Sequence, residues 1–228
     1  MKLSIIMPVY NEASTISKIL RLVLAADTKD VKKEIIIVDD FSTDSTREVL
    51  KHIKEPGIKV LYHRKNLGKG MAIRTALKKA TGDIIIIQDA DLEYEPNEYY
   101  KLIKPILDGR ARVVYGSRNL NKENRQHSGI SYTIGGLFLT WFTNLLYNTR
   151  ITDESTCYKV FRADVIKGIP LECKRFEFCP EITAKVALRK IRIMEVPISY
   201  YPRAKWQGKK IRWRDGAQAA MTLIKYWL

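Results

Sequence analysis

Gly82-Asp83-Ile84-Ile85-Ile86-Ile87-Gln88-Asp89-Ala90-Asp91 is the stretch on which the fold turns. A run of isoleucines between a Gly-Asp turn and a polar exit reads as a short strand over Ile84–Gln88, buried on both faces. Such a strand needs cover on both sides, which helices supply when strand and helix alternate along the chain. That alternation is present upstream. Leu3–Val9 is a strand rich in Ile and Val, and Glu12–Ala26 carries a helical stripe of Ile16, Ile19, Leu20, Val23 and Leu24. Glu34–Val38 is a second buried strand. Thr43–Ile53 is a helix with Ser42 or Thr43 placed to cap it. Ile58–Tyr62 is a third strand and Met71–Ala80 a helix of small residues. Downstream come a helix at Pro96–Leu107 and a strand at Arg112–Tyr115. The expectation is an α/β fold, a parallel or mixed sheet flanked by helices in one domain over 1–228. The second half is less regular: helices at Ile130–Tyr147, Pro180–Arg189 and Trp213–Leu228, a strand at Tyr158–Phe161 and an extended run at Ile191–Tyr200.

Composition narrows the function. The 228 residues are 46% hydrophobic and 29% charged, which excludes disordered, collagen-like and low-complexity chains. Lys+Arg number 40 against 25 Asp+Glu, a net charge of +15 that calls for an anionic partner: nucleic acid, a phosphorylated small molecule or an acidic membrane surface. Cys157, Cys173 and Cys179 have no metal-ligand spacing and read as free thiols of a reducing compartment. The opening Met1–Pro8 is too short for a secretory core, and the uncharged run Ser128–Thr149 is too polar for a convincing membrane span.

In open parallel sheets ligands bind beyond the carboxyl ends of the strands. Here those ends read Pro8-Val9-Tyr10-Asn11-Glu12, Asp39-Asp40-Phe41-Ser42, Arg64-Lys65-Asn66-Leu67-Gly68-Lys69-Gly70, Asp89-Ala90-Asp91-Leu92-Glu93 and Gly116-Ser117-Arg118. Acidic groups at two ends and basic groups at two others make a cradle for a charged ligand. Asp89, Asp91 and Glu93, spaced by two, are hard oxygen ligands suited to Mg²⁺ or Mn²⁺ that also binds a diphosphate. Gly68-Lys69-Gly70 runs on into Met71-Ala72, so it is not a Walker loop, and no Gly-X-Gly-X-X-Gly follows the first strand. From Val196 to Leu228 seven basic residues face the single acid Asp215, with Tyr200, Tyr201, Trp206 and Trp213 interleaved. Such a segment fits nucleic acid, a flap over a diphosphate or anionic lipid.

Taken in order, Pro8-Val9-Tyr10-Asn11-Glu12, Asp39-Asp40-X-Ser42, Asn66-X-Gly68-Lys69-Gly70, Gly82-Asp83 and Asp89-Ala90-Asp91 resemble the family 2 glycosyltransferases of GT-A fold. The chain looks most like the polyprenyl-phosphate glycosyltransferases of the dolichol-phosphate mannose synthase type. The likeness is specific through residue 118. It continues less diagnostically through Asp153–Lys159, Phe176–Phe178, Glu195–Pro197 and Arg203 with Gly208-Lys209-Lys210.

The resemblance implies a nucleotide-sugar half over 1–118 and an acceptor half over 119–228. Pro8, Tyr10, Glu12, Val38 and one of Asp39 and Asp40 would hold base and ribose. Lys69, Asp89, Ala90 and Asp91 would manage the diphosphate and a Mg or Mn ion, with Glu93 as a further ligand where relatives often carry Gln. Arg118 and Arg203, with Lys209 or Lys210, would meet the donor and acceptor phosphates. Ser117–Ser131 would be an acceptor loop, with Ser117, Arg125 and Ser131 as contacts.

Transfer by inversion from GDP-mannose or a UDP-hexose to a polyprenyl phosphate is the expected reaction. A lipid phosphate is already an anion and needs no base; a sugar hydroxyl would need one, for which Asp153 is the candidate. Transfer to a glycan hydroxyl is therefore the alternative, disfavoured by the lack of a Gln-X-X-Arg-Trp motif. A non-enzymatic binder, either of nucleic acid or a degenerate transferase acting as a scaffold, is disfavoured because every expected donor-site residue is present. Helix 130–147 places Ile130, Ile134, Leu137, Phe138, Trp141 and Leu145 on one face, suited either to a membrane interface or to packing on the core. The expected location is cytoplasmic, with peripheral attachment to the cytoplasmic face of a membrane as the extension of that reading.

Overall fold

A computed structural model describes residues 1–126, 130–203 and 213–228, with the side chains at 125, 126, 130–132 and 213 excepted. Seven strands form one sheet: β1 (Lys2–Val9), β2 (Lys32–Asp39), β3 (Ile58–Tyr62), β4 (Ile84–Ile87), β5 (Val113–Ser117), β6 (Lys159–Arg162) and β7 (Ile193–Pro197). Their order is β3-β2-β1-β4-β6-β5-β7. The first four pair in parallel, β5 pairs in parallel with β7, and β6 runs antiparallel between β4 and β5. The sheet is thus mixed, and β4 and β5 point the same way.

The eight helices are α1 (Ile16–Ala25), α2 (Thr46–Lys51), α3 (Lys69–Leu77), α4 (Tyr99–Leu107), α5 (Ile130–Tyr147), α6 (Ala163–Lys167), α7 (Phe178–Leu188) and α8 (Trp213–Trp227) among the described residues. The isoleucines of β4 divide between the two faces. Ile84 and Ile86 pack with residues of α1, α2 and α4, and Ile85 and Ile87 with α3, α6 and α7. Burying each such side chain stabilises by about 1.5–3 kcal/mol, so a strand of four needs helices on both sides. α5 and α8 lie outside α7, where Leu139, Ala184, Ala219 and Leu223 form a separate small core.

Several sequence boundaries move for local reasons. The second helix is capped at Ser45, and Asp44 Oδ1 accepts from Thr46 N at 3.0 Å. Ser42 Oγ instead accepts Asn11 N, and Asn11 Oδ1 accepts Thr43 N, tying the loops after β1 and β2 together. β5 runs on to Ser117 because Gly116 and Ser117 pair with Val196 and Pro197. The short helix α6 has too few residues for a periodic signal and was not expected.

α3 starts two residues before the expected helix, directly after Gly68 at φ 93°. A Cβ on Gly68 would lie 2.5 Å from Lys174 O and 2.8 Å from Arg175 Cγ. The Asn66–Gly70 loop is therefore seated against the backbone of residues 173–175 with no room for a side chain. Gly68→Ala is expected to cost about 3 kcal/mol, from backbone strain plus overlap. The midpoint of urea denaturation measures it; a wild-type midpoint would mean that residues 173–175 simply move aside.

Candidate active site

The carboxyl ends of β1, β2, β4 and β5 share one edge with the start of antiparallel β6. Three loops at this edge hold a non-glycine residue at positive φ: Asn11 at 50°, Phe41 at 67° and Leu92 at 64°. Such backbone is costly unless its surroundings enforce it, and it clusters where side chains must be aimed. At Leu92 the turn brings Glu93 N to Asp91 Oδ1 at 3.1 Å.

The exit of β4 is clamped. Buried Gln88 accepts from Tyr99 and Tyr158 hydroxyls through Oε1 at 2.6 and 2.7 Å, and its Nε2 donates to Asp89 O at 2.8 Å. From this fixed point the acidic triplet spreads. Lys69 Nζ lies 2.8 and 2.7 Å from the two Asp89 carboxylate oxygens and 3.1 Å from Cys157 Sγ. Burial opposes the charge on Lys69, but Asp89 outweighs it and holds the ammonium well above its ordinary range. Burial and the neighbouring Asp89 push the Cys157 thiol up, so it is a poor nucleophile.

Asp91 faces Arg203, whose Nη2 is 3.3 Å from Oδ2, and the same guanidinium reaches Glu12 at 3.0 and 3.2 Å. Burial, reinforced by Asp89 and Glu93, pushes the Asp91 carboxyl up to about 7. Arg203 Nε is buried with no hydrogen-bond partner among the described residues. A buried guanidinium N–H without an acceptor is costly, and an anionic ligand would satisfy it.

A second basic group stands beside this one. Arg118, directly after β5, forks onto Asp153 through Nε and Nη2, both at 2.7 Å, and its backbone N donates to the same carboxylate at 2.9 Å. Its guanidinium lies 5.0 Å from the centre of the Tyr200 ring. Burial works against the charge, and Asp153 more than offsets it. Asp153 is placed in turn by Glu195 of β7, which accepts from Asp153 N, Thr152 N and Thr152 Oγ1.

The site residues expected from sequence thus meet at this edge, with revisions. Pro8, Val38 and Asp39 sit at the ends of β1 and β2, Tyr10 and Glu12 just beyond β1, and Ala90 between Asp89 and Asp91. Asp39 is fully buried, bonded by Arg47 Nε at 2.6 Å and by Ser42 N. Asp40 belongs to the scaffold rather than to the opening. Its carboxylate takes Leu67 N, Gly68 N and His63 Nδ1, and so moulds the Asn66–Gly70 loop. The Ser117 hydroxyl is buried and bonded to Thr152 Oγ1 at 2.6 Å. Asp153, the candidate base, is held by the Arg118 fork and anchors that arginine. The side chains of Arg125 and Ser131, and all of Lys209 and Lys210, lie outside the described residues.

Glu93 is also reassigned. Its Oε1 accepts Arg203 N at 2.8 Å and its Oε2 accepts the Tyr200 hydroxyl at 3.0 Å. Among the described residues no group of three or more His, Cys, Asp and Glu side chains is disposed to hold a metal ion. The acidic edge fits a smaller protein contribution: Asp89 and Asp91, with substrate phosphate oxygens and water completing the shell of a Mg²⁺-like ion. Sequence reasoning missed Gln88, Glu195 and Tyr200 as positioning groups. The polar residue directly after the isoleucines of β4 was the available signal for Gln88, and an acid in the middle of β7 that for Glu195.

The helix faces answer the question left open for α5. Thr140 and Thr143 are buried, whereas Ile134, Leu137, Phe138, Trp141 and Leu145 are each more than half exposed. The apolar stripe is therefore the outer face, and core packing does not account for it. No helix among the described residues is long and apolar enough to cross a membrane.

The seven-stranded mixed sheet flanked by helices has the GT-A fold, and a solved sugar transferase shares it. Glucosyl-3-phosphoglycerate synthase from Mycobacterium tuberculosis, determined with Mn²⁺, UDP and phosphoglyceric acid, superimposes with a TM-score of 0.74, covering 99% of this chain and 78% of that one. At 18% identity the likeness is one of fold. The family profile Glycosyl transferase family 2 matches residues 4–169, and the chain belongs to that family. It is a glycosyltransferase.

Among curated relatives, a UDP-N-acetylglucosamine–dolichyl-phosphate N-acetylglucosaminyltransferase of Methanococcus voltae is 30% identical over 213 residues, 85% of this chain and 83% of that protein. A dolichol-phosphate mannosyltransferase of Pyrococcus furiosus is 29% identical over 213 residues, 92% of this chain but 59% of that protein.

Proposed function

We propose that this glycosyltransferase moves a hexose or N-acetylhexosamine from a nucleotide diphosphate sugar to a polyprenyl phosphate of the dolichyl type. The observation that carries the reading is Arg203. Its guanidinium bridges Asp91 and Glu12 and keeps a buried Nε–H without an acceptor, beside the acidic turn after β4. A diphosphate supplies that acceptor. The names of the two curated relatives support the lipid phosphate as acceptor.

The chemistry follows from the charges. The acceptor phosphate oxygen attacks the anomeric carbon, the bond from that carbon to the diphosphate oxygen breaks, and the nucleoside diphosphate leaves with the bonding pair. Configuration inverts in a single displacement. The nucleophile is an anion and needs no base, in keeping with an Asp153 already spent on Arg118. Arg203 receives the negative charge that grows on the leaving group, and Arg118, fixed by Asp153, aligns the acceptor phosphate. Lys69 neutralises Asp89 and keeps the donor phosphates from meeting bare carboxylates. Asp89 and Asp91 would hold a divalent cation, which supplies further charge stabilisation at the diphosphate.

The exposed apolar face of α5 and the net charge of +15 support a peripheral location at an anionic membrane surface, on the cytoplasmic side in this reading. Replacing Leu137 and Trp141 together by Glu is expected to reduce co-sedimentation with phosphatidylglycerol vesicles by more than about tenfold without altering the circular dichroism spectrum. Undiminished co-sedimentation would remove α5 from the interface.

The reaction is tested by incubating radiolabelled GDP- and UDP-sugars with polyprenyl phosphate and Mn²⁺ or Mg²⁺, then partitioning between butanol and water. Label in butanol is expected with one donor. Label that stays in water with every donor, while nucleotide is released, would move the acceptor to a glycan.

A further inference from the structure

The other end of the sheet carries a different surface. Gly109–Arg112 leads into β5 and Arg189–Arg192 leads into its parallel neighbour β7, so both segments lie at the amino edge, away from Asp91 and Arg118. Between them opens a cleft of about 580 Å³. Arg110, Arg112, Arg189, Lys190 and Arg192 line it, and no acidic residue does.

These cations are only partly neutralised. Arg110 is paired with Asp108 at 2.9 Å. Arg112 reaches Asp164 at 3.3 Å, but Arg162 already holds that carboxylate at 2.5 Å. Arg189 donates to the carbonyl of Lys185 and so finishes α7. The side chains of Lys190 and Arg192 have no hydrogen-bond or ion-pair partner among the described residues. Lys190 is held at φ 56° by the closing turn of α7, where Lys190 N donates to Ala187 O and Ile191 N to Val186 O. The backbone thus takes up strain at the point where two adjacent cations meet the cleft.

We propose that this cleft is a second anion site, taking a ligand that carries at least two clustered phosphoryl groups. A single carboxylate would neutralise one of the three cations that have no carboxylate partner among the described residues, Arg189, Lys190 and Arg192, and leave the other two repelling each other. A cluster of two or more phosphoryl groups carries charge enough for all three and suits the forked donors of arginine. The argument is independent of the reaction at the carboxyl edge. A soluble polyphosphate compound and the headgroups of an anionic lipid share this chemistry.

Inorganic tripolyphosphate titrated calorimetrically into the full chain tests the site, with saturating UDP present to occupy the carboxyl edge. Lys190→Asn combined with Arg192→Gln removes the two unpaired cations, and Asn tolerates the left-handed backbone at 190. Arg112→Gln alters the opposite wall, where Arg162 keeps Asp164 paired. Tripolyphosphate affinity is expected to fall about tenfold or more in the double variant and several-fold in the single one, and to fall with added salt in the wild type. Sugar transfer should be unchanged in both.

Flotation with phosphatidylglycerol vesicles separates the sources. Loss of both tripolyphosphate and vesicle binding identifies a lipid headgroup, and loss of tripolyphosphate binding alone identifies a soluble phosphorylated ligand. A wild type that does not bind tripolyphosphate, or wall variants that bind it as the wild type does, would overturn the proposal.

Discussion

Asp91→Asn is expected to lower sugar transfer about a thousandfold while the protein stays folded. The substitution keeps an oxygen to accept Glu93 N, so the turn at Leu92 survives. It removes the charge that faces Arg203 at 3.3 Å and that would share a cation with Asp89. Stability should move the other way. The Asp91 carboxyl titrates near 7 in the fold and near 3.8 in the unfolded chain, so burial of its ionised form weakens the protein progressively as pH rises through that interval. Without divalent cation, the variant should therefore melt at or above the wild-type temperature at pH 8, and the advantage should fade toward pH 4. Melting curves at the two pH values, alongside label transfer, measure both effects. A variant that retains transfer within tenfold of wild type would take Asp91 out of the donor site.

Asp153→Asn should reduce kcat/KM for the polyprenyl phosphate about a hundredfold, with little change in the KM for the donor. Arg118 is fixed by two 2.7 Å bonds to a carboxylate that is itself buried. An amide offers one acceptor instead of two and turns its NH2 toward a cation, so the fork cannot persist. Arg118→Lys should fail for the same reason, because an ammonium cannot make the fork. The pH profile separates anchoring from base catalysis. An anchor leaves the acidic limb of the rate profile in place at reduced height. Disappearance of that limb in Asp153→Asn would restore Asp153 to the role of a base and favour a hydroxyl acceptor.

The donor edge was legible because its chemistry is local in sequence. Each of the first four strands hands its functional residues straight to the following loop, so Glu12, Lys69, Asp89 and Asp91 could be placed from strand endings alone. What was not legible depends on contacts between distant segments. Asp40 and Asp39 look alike in sequence, and only the return of the Asn66–Gly70 loop makes Asp40 part of the scaffold. Asp153 gave no sign that Arg118, thirty-five positions earlier, would bind it. Glu93 extends the spacing of Asp89 and Asp91, yet Tyr200 and Arg203 draw its carboxylate away. The helix α5 was ambiguous because its two faces were both plausible interiors. The deciding fact is that α7 and α8 pack against Leu139, with Phe142, Leu146 and Tyr147 beside it, and leave Ile134, Leu137, Phe138, Trp141 and Leu145 outside.

The place of β6 has a consequence for how the chain is made. During synthesis, the first 118 residues include β1 through β5, but β5 has no partner among them, since β6 lies between it and β4 and β7 on its far side. The nascent chain can assemble β3-β2-β1-β4, yet Arg118 waits, unanchored, until Asp153 and Arg162 have left the ribosome. The loops that carry Glu12, Lys69, Asp89 and Asp91 thus precede the anchor of Arg118 by some sixty residues or more, so a chain stalled in that interval would carry the acidic edge without the Arg118–Asp153 fork.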